Sequence, residues 1–145
     1  MKLVIDQSPE YQDVEITVRC GVMDKRLEDL IAQMRLYAFS VTGIKDGSKY
    51  FISMDHIFYF ESIDEKTFIY CEKEVYECEM RIYELESQLA QTNFIRISKS
   101  CILNLMQLEC VKPLMNGKLE AKLYNGEKLI INRHYVQLVK ERLNF

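Results

Sequence analysis

Three dipeptides constrain this chain more than any other feature: Asp46-Gly47, Asn116-Gly117 and Asn125-Gly126. Glycine enters the left-handed backbone region without a steric clash, so such pairs close tight hairpins where apolar runs flank them. Residues 40–45 (SVTGIK) and 49–53 (KYFIS) flank the first pair. The runs at 111–115, 119–124 and 129–131 flank the other two. Residues 57–63 (IFYFESI) and 67–72 (TFIYCE) read as a further strand pair around Asp64-Glu65-Lys66, with another strand at 75–78. A chain punctuated in this way is expected to be mainly β, an antiparallel sheet domain with short helices.

The helices are predicted from spacing and caps. Asp24 is placed to cap a helix whose Leu27, Leu30, Ile31 and Met34 recur on one face. Residues 81–90 (RIYELESQLA) carry Ile82, Leu85 and Leu89 at i, i+3 and i+7, the period of a short amphipathic helix. Asn132 can cap a last helix with Tyr135, Val136, Leu138, Val139 and Leu143 on its buried side. Ahead of the β domain, residues 2–5 and 14–20 (VEITVRC) are rich in Val and Ile, and the second alternates as a strand does. The expected organisation is a strand and helix extension over residues 1–38 and a β domain over 39–145. The extension cannot bury its apolar face alone, so it packs on the domain or forms a surface for a second subunit.

A chain of 145 residues, 48% of them hydrophobic, is long enough to bury a core as one domain. No apolar run reaches membrane-spanning length, and residues 1–13 turn acidic too early for a secretory signal, which points to the cytoplasm. The five cysteines lack metal-ligand spacing, and their odd number predicts reduced thiols that act mostly as small core hydrophobes. His56 and His134 are the only histidines. No triad, metal, nucleotide or cofactor signature is recognisable, so the reading is of a protein that does no chemistry and takes no cofactor.

One stretch carries functional chemistry. In residues 94–104 (FIRISKSCILN), apolar runs flank Ser98-Lys99-Ser100, where the chain must bend. Lys supplies a point charge with three donors and Ser a hydroxyl that donates or accepts, a combination suited to phosphate oxygens and base edges. An ordinary polar turn has the same composition. The net charge is −3, but it is unevenly spread. Residues 91–145 hold nine Lys and Arg against four Asp and Glu, or +5, leaving ten against eighteen, or −8, in residues 1–90. Screening over about 10 Å makes the local field the relevant one for a polyanion.

The segment resembles the core signature of the LytTR DNA-binding domain of bacterial transcription regulators, with Phe94, Arg96, Ser98, Lys99, Ser100 and Asn104 in the recurring places. Residues 57–62 (IFYFES) and 129–143 (LIINRHYVQLVKERL) extend the similarity, in order, over roughly the last two thirds of the chain. The resemblance implies a LytTR-like β domain that reads double-stranded promoter DNA with loops projecting into successive grooves, rather than with a recognition helix. Arg133, in the first turn of the last helix, matches a principal contact and is suited to a guanine or a phosphate. Arg96, Ser98, Lys99 and Ser100 match a second contact group. Lys66 and Thr67 match a third contact loop, where Asp64 and Glu65 would repel phosphate. Lys99 stands where the family usually has Arg or Asn, and Ser98 where it often has His. Lys lacks the two-sided geometry of those groups, so contact there shifts toward phosphate. The resemblance further implies a homodimer or paired copies on DNA and a regulatory membrane-protein partner. The 38 residues of the extension are too few for a receiver domain. The competing reading is a protein-interaction module acting mainly through the N-terminal strand and helix.

Overall fold

Each of the three Gly-containing dipeptides closes a hairpin in the computed structural model, which describes residues 1–37 and 39–145. Strands β1 (Val41–Lys45) and β2 (Ser48–Ile52) pair in register through a two-residue turn, with Asp46 at φ 51° and Gly47 at φ 77°. The hairpin of β3 (Ile57–Ile63) and β4 (Lys66–Cys71) turns through Asp64 and Glu65, both left-handed without a glycine. Next come β5 (Val75–Cys78), β6 (Phe94–Ser98) and β7 (Cys101–Asn104), which complete a seven-stranded antiparallel sheet in the order β2-β1-β5-β4-β3-β7-β6. Strands β8 (Leu108–Pro113), β9 (Leu119–Leu123) and β10 (Lys128–Ile131) form a second sheet in the order β10-β9-β8.

Two apolar clusters hold three layers together. On one face of the large sheet, Phe60, Ile69 and Ile102 pack against Leu36 of helix α1 (Lys25–Tyr37) and against Ile82, Leu85 and Leu89 at helix α2 (Ile82–Gln88). On the other face, Ile95, Ile97 and Leu103 meet Ala121, Leu123 and Ile131 of the small sheet and Val139 of helix α3 (Arg133–Leu143). Strands β3, β6 and β7 are thus covered on both sides, which is why they read as near-continuous apolar runs rather than as clean alternation. Asn104 is the buried polar exception at 2% exposure. Its Nδ2 donates to the Ile57 carbonyl at 2.8 Å and its Oδ1 accepts from the Met106 N–H at 3.1 Å, so burial leaves neither group unmet.

The mainly β expectation with short helices stands, but three local readings change. Residues 2–5 and 14–20 form no strand; VEITVRC lies exposed along its length. A strand is stabilised by a paired edge, and alternation alone does not supply one. Helix α1 is capped as expected, the Asp24 carboxylate accepting from the Leu27 N–H at 2.9 Å. Its buried residues are Ala32 and Leu36, while Leu30 is 37% exposed. The inward face is rotated toward Leu36, which joins the cluster on the sheet, and Arg35 of the same helix donates to the Gln91 carbonyl at 3.2 Å, a tertiary contact absent from the local pattern. Asn132 occupies the N-cap of α3 without a side-chain bond, and Leu138 is exposed. The expected boundary at residue 38 lies outside the described residues. Among the described residues, no helix is long and apolar enough to cross a membrane.

Candidate nucleic-acid interface

The turn between β6 and β7 is built around one arginine. A register shift between Arg96 and Ser98 bends β6 as it ends. The Arg96 guanidinium then folds back over the turn: Nε donates to the Ser98 carbonyl at 2.7 Å and Nη2 to the Lys99 carbonyl. Its Nη1 pairs with the Glu86 carboxylate at 3.1 Å. The Ser98 hydroxyl accepts from the Ser100 N–H at 3.2 Å and lies 3.4 Å from the Ser100 hydroxyl. Arg96 is therefore occupied with the protein, and its charge is matched by Glu86. Lys99, at the tip, is exposed.

Two backbone hydrogen bonds bring other corners to this turn. The Ser62 N–H donates to the Ser100 carbonyl at 2.8 Å, setting the end of β3 beside it. The Asn132 N–H donates to the Ile97 carbonyl at 2.9 Å, setting the start of α3 against the end of β6. Arg133 follows directly and is exposed. Its Cγ and Cδ lie so near Gly117, in the β8–β9 turn, that a Cβ there would stand 3.3 Å from both. Gly117 therefore serves a close approach as well as its φ of 73°. Lys118, exposed beside it, is a further cation the sequence reading did not single out.

The third expected loop divides. Lys66 opens β4 and is exposed, whereas Thr67 is 2% exposed and its hydroxyl lies buried without a hydrogen-bond partner. Inward alternation at that step takes Thr67 off the surface, which corrects its reading as a contact. Among the described residues, Lys66, Lys99, Lys118 and Arg133 enter no ion pair. All four are exposed, and Asp64 and Glu65 precede Lys66 as local opposition.

Behind the turn lies a second group of polar side chains. Glu61 pairs with Cys101 across β3 and β7, and the Tyr59 and Tyr70 rings stack at 4.3 Å. Burial first, and then Glu127, hold the Glu61 carboxyl above its usual range. Burial likewise pushes up the Cys101 thiol and the Tyr59 phenol. Among the described residues, no three His, Cys, Asp or Glu side chains gather as metal ligands would. Cys71, Cys78 and Cys101 sit partly or fully inside, while Cys20 and Cys110 are exposed; all five are free thiols.

The family model of the LytTr DNA-binding domain matches residues 47–144. The chain belongs to the LytTR DNA-binding domain family. Among curated relatives, the LytTR chain is 32% identical over 86 residues to the sensory transduction protein LytT of Enterococcus faecalis. That match covers 59% of this chain and 36% of the relative, so the chain spans little more than a third of LytT. Among solved structures, a LytTr DNA-binding domain from Bacillus cereus superimposes with a TM-score of 0.69 at 23% identity. It covers 73% of this chain and 97% of its own, and it shares the LytTR fold.

Proposed function

We propose that this LytTR protein is a transcription regulator that binds promoter duplex sequence-specifically through the loops at one edge of its sheet stack. The observation that supports this reading is the pair of backbone bonds, Asn132 to Ile97 and Ser62 to Ser100, which set the start of α3 and the end of β3 beside the β6–β7 turn. Arg133 reads a base edge or clamps a phosphate with its planar fork. Lys99 and Lys66 anchor phosphates as point charges, and the Ser98 and Ser100 hydroxyls add short-range polar contacts. Arg96 acts through the turn it shapes, and Thr67 plays no direct part. The protein does no covalent chemistry in this reading. It works in the cytoplasm as a homodimer or as paired copies on DNA, under the control of a membrane-protein partner, as its family resemblance implies.

A shift assay on the DNA upstream of its own gene, across a salt series, tests the assignment. Wild-type binding should weaken steeply with salt, and Arg133→Ala and Lys99→Ala should each reduce affinity and lower the salt slope by about one. Arg133→Ala should also relax base preference. Wild-type affinity in both variants would reject these contacts. Absence of salt-sensitive binding to any duplex would overturn the function and favour a protein-interaction module working through the N-terminal segment and α1.

A further inference from the structure

Two features that the DNA reading leaves unused complement each other. Residues 14–20 alternate Val14, Ile16 and Val18 with Glu15, Thr17 and Arg19, yet pair with no strand. Val14 is 92% and Ile16 65% exposed. At the other end of the main sheet, β2 is an edge strand whose outer side takes part in no ladder. Its Phe51 is 89% exposed, and Lys49 and Tyr50 are also exposed. The β1–β2 register is unbroken, so this edge has neither a bulge nor a proline to discourage pairing. The opposite edge differs, since the Ile97 carbonyl of β6 is already taken by Asn132.

We propose that residues 14–20 of one molecule add as a strand to the β2 edge of a second copy, and that the exchange is reciprocal. In a two-residue hairpin the pair flanking the turn, here Lys45 with Ser48, exchanges both backbone bonds. Bonded pairs then alternate, so the N–H and C=O groups of Lys49 and Phe51 point outward, free to accept a strand. When Val14, Ile16 and Val18 continue the side of Tyr50 and Ile52, period-two alternation sets Asp13, Glu15, Thr17 and Arg19 on the side of Lys49 and Phe51, two carboxylates and one guanidinium whose net negative charge complements Lys49. Among the described residues, the arm forms no ladder with the β2 edge of its own chain. Only residues 21–24 separate the arm from α1, a short hinge of the kind that favours exchange between copies. One added strand is a weak contact; a two-fold exchange doubles it from the same residues.

The test uses the full chain, by light scattering after size exclusion at tens of micromolar. Wild type should be a dimer. Ile16→Asp in the arm and Phe51→Pro in the edge, which removes an outward N–H without touching a β1 bond, should each weaken dimerisation by about tenfold or more with unchanged circular dichroism. An equimolar mixture of the two variants should recover part of the dimer, because one intact arm still meets one intact edge. A monomeric wild type, variants that dimerise as wild type does, or a mixture no better than either variant would each overturn the exchange. Exchange-protected arm amides in a monomer would likewise overturn it, by assigning the arm to its own edge.

Discussion

Arg96 is the residue whose type was legible and whose task was not. In the sequence it is a cation two residues before a polar bend; in the structure its three nitrogens reach two turn carbonyls and Glu86. Arg96→Lys keeps the charge but not the fork that holds two carbonyls at once. The substitution should lower DNA affinity while leaving the salt slope at its wild-type value, since Glu86 already balances this charge. A slope reduced by about one in Arg96→Gln, which removes the charge, would instead make Arg96 a phosphate contact. Glu61 gives a second residue-scale expectation. Its folded-state proton affinity is raised by burial and by Glu127, so the folded chain holds this proton more tightly than the unfolded one. Its ionisation therefore costs stability as pH rises from the ordinary carboxylate range through the folded value. Glu61→Gln should raise the melting temperature at neutral pH. That gain should vanish as pH falls below the ordinary range, where Glu61 is protonated in both states.

At the scale of elements, what could be read was what local spacing determines. Ile82, Leu85 and Leu89 announce α2 because all three face one core, and each is buried. The hairpins announce themselves because Gly47, Gly117 and Gly126 meet a positive φ that other residues resist. The face of α1 was misread because residues far along the chain, in the cluster that takes Leu36 and at the Gln91 carbonyl that accepts from Arg35, decide which side is inward. Thr67 was misread because its neighbour Lys66 is exposed and one step along a strand reverses direction. Gly117 was seen as a turn residue, while its contact with Arg133 joins segments that no local window contains. The β3–β4 hairpin carries a testable consequence of its own turn. Asp64 and Glu65 hold φ of 52° and 66°, a left-handed geometry that costs an ordinary residue about 1 kcal/mol or more. Asp64→Asn with Glu65→Gly should stabilise the domain by about 1 kcal/mol in urea unfolding. Removing two carboxylates beside Lys66 should also tighten binding to unrelated duplex at low salt. Unchanged stability would show that the turn carries no strain.

Across the whole molecule, layering settles what the corners can do together. Over β3, β6 and β7 the large sheet is covered by α1 and α2 on one face and by the small sheet and α3 on the other, which leaves the loops at the ends of these strands, and the β2 edge apart from them, free to meet a partner. The excess of acidic residues in positions 1–90 and of basic ones in 91–145 gives a net-negative protein a basic C-terminal part, which carries Lys99, Lys118 and Arg133. Such an arrangement limits indiscriminate attraction to DNA without removing it where the cations gather. The hydrogen bond from Asn132 to Ile97 makes the separation between the Lys99 and Arg133 corners a property of the folded chain before any duplex arrives. A ruler of that kind tolerates little error in what it measures: one inserted base pair between the touched steps displaces the second by about 3.4 Å and turns it by roughly 35°. In the proposed mode, spacing is then inspected along with base identity, and a site with the right letters at the wrong interval is refused.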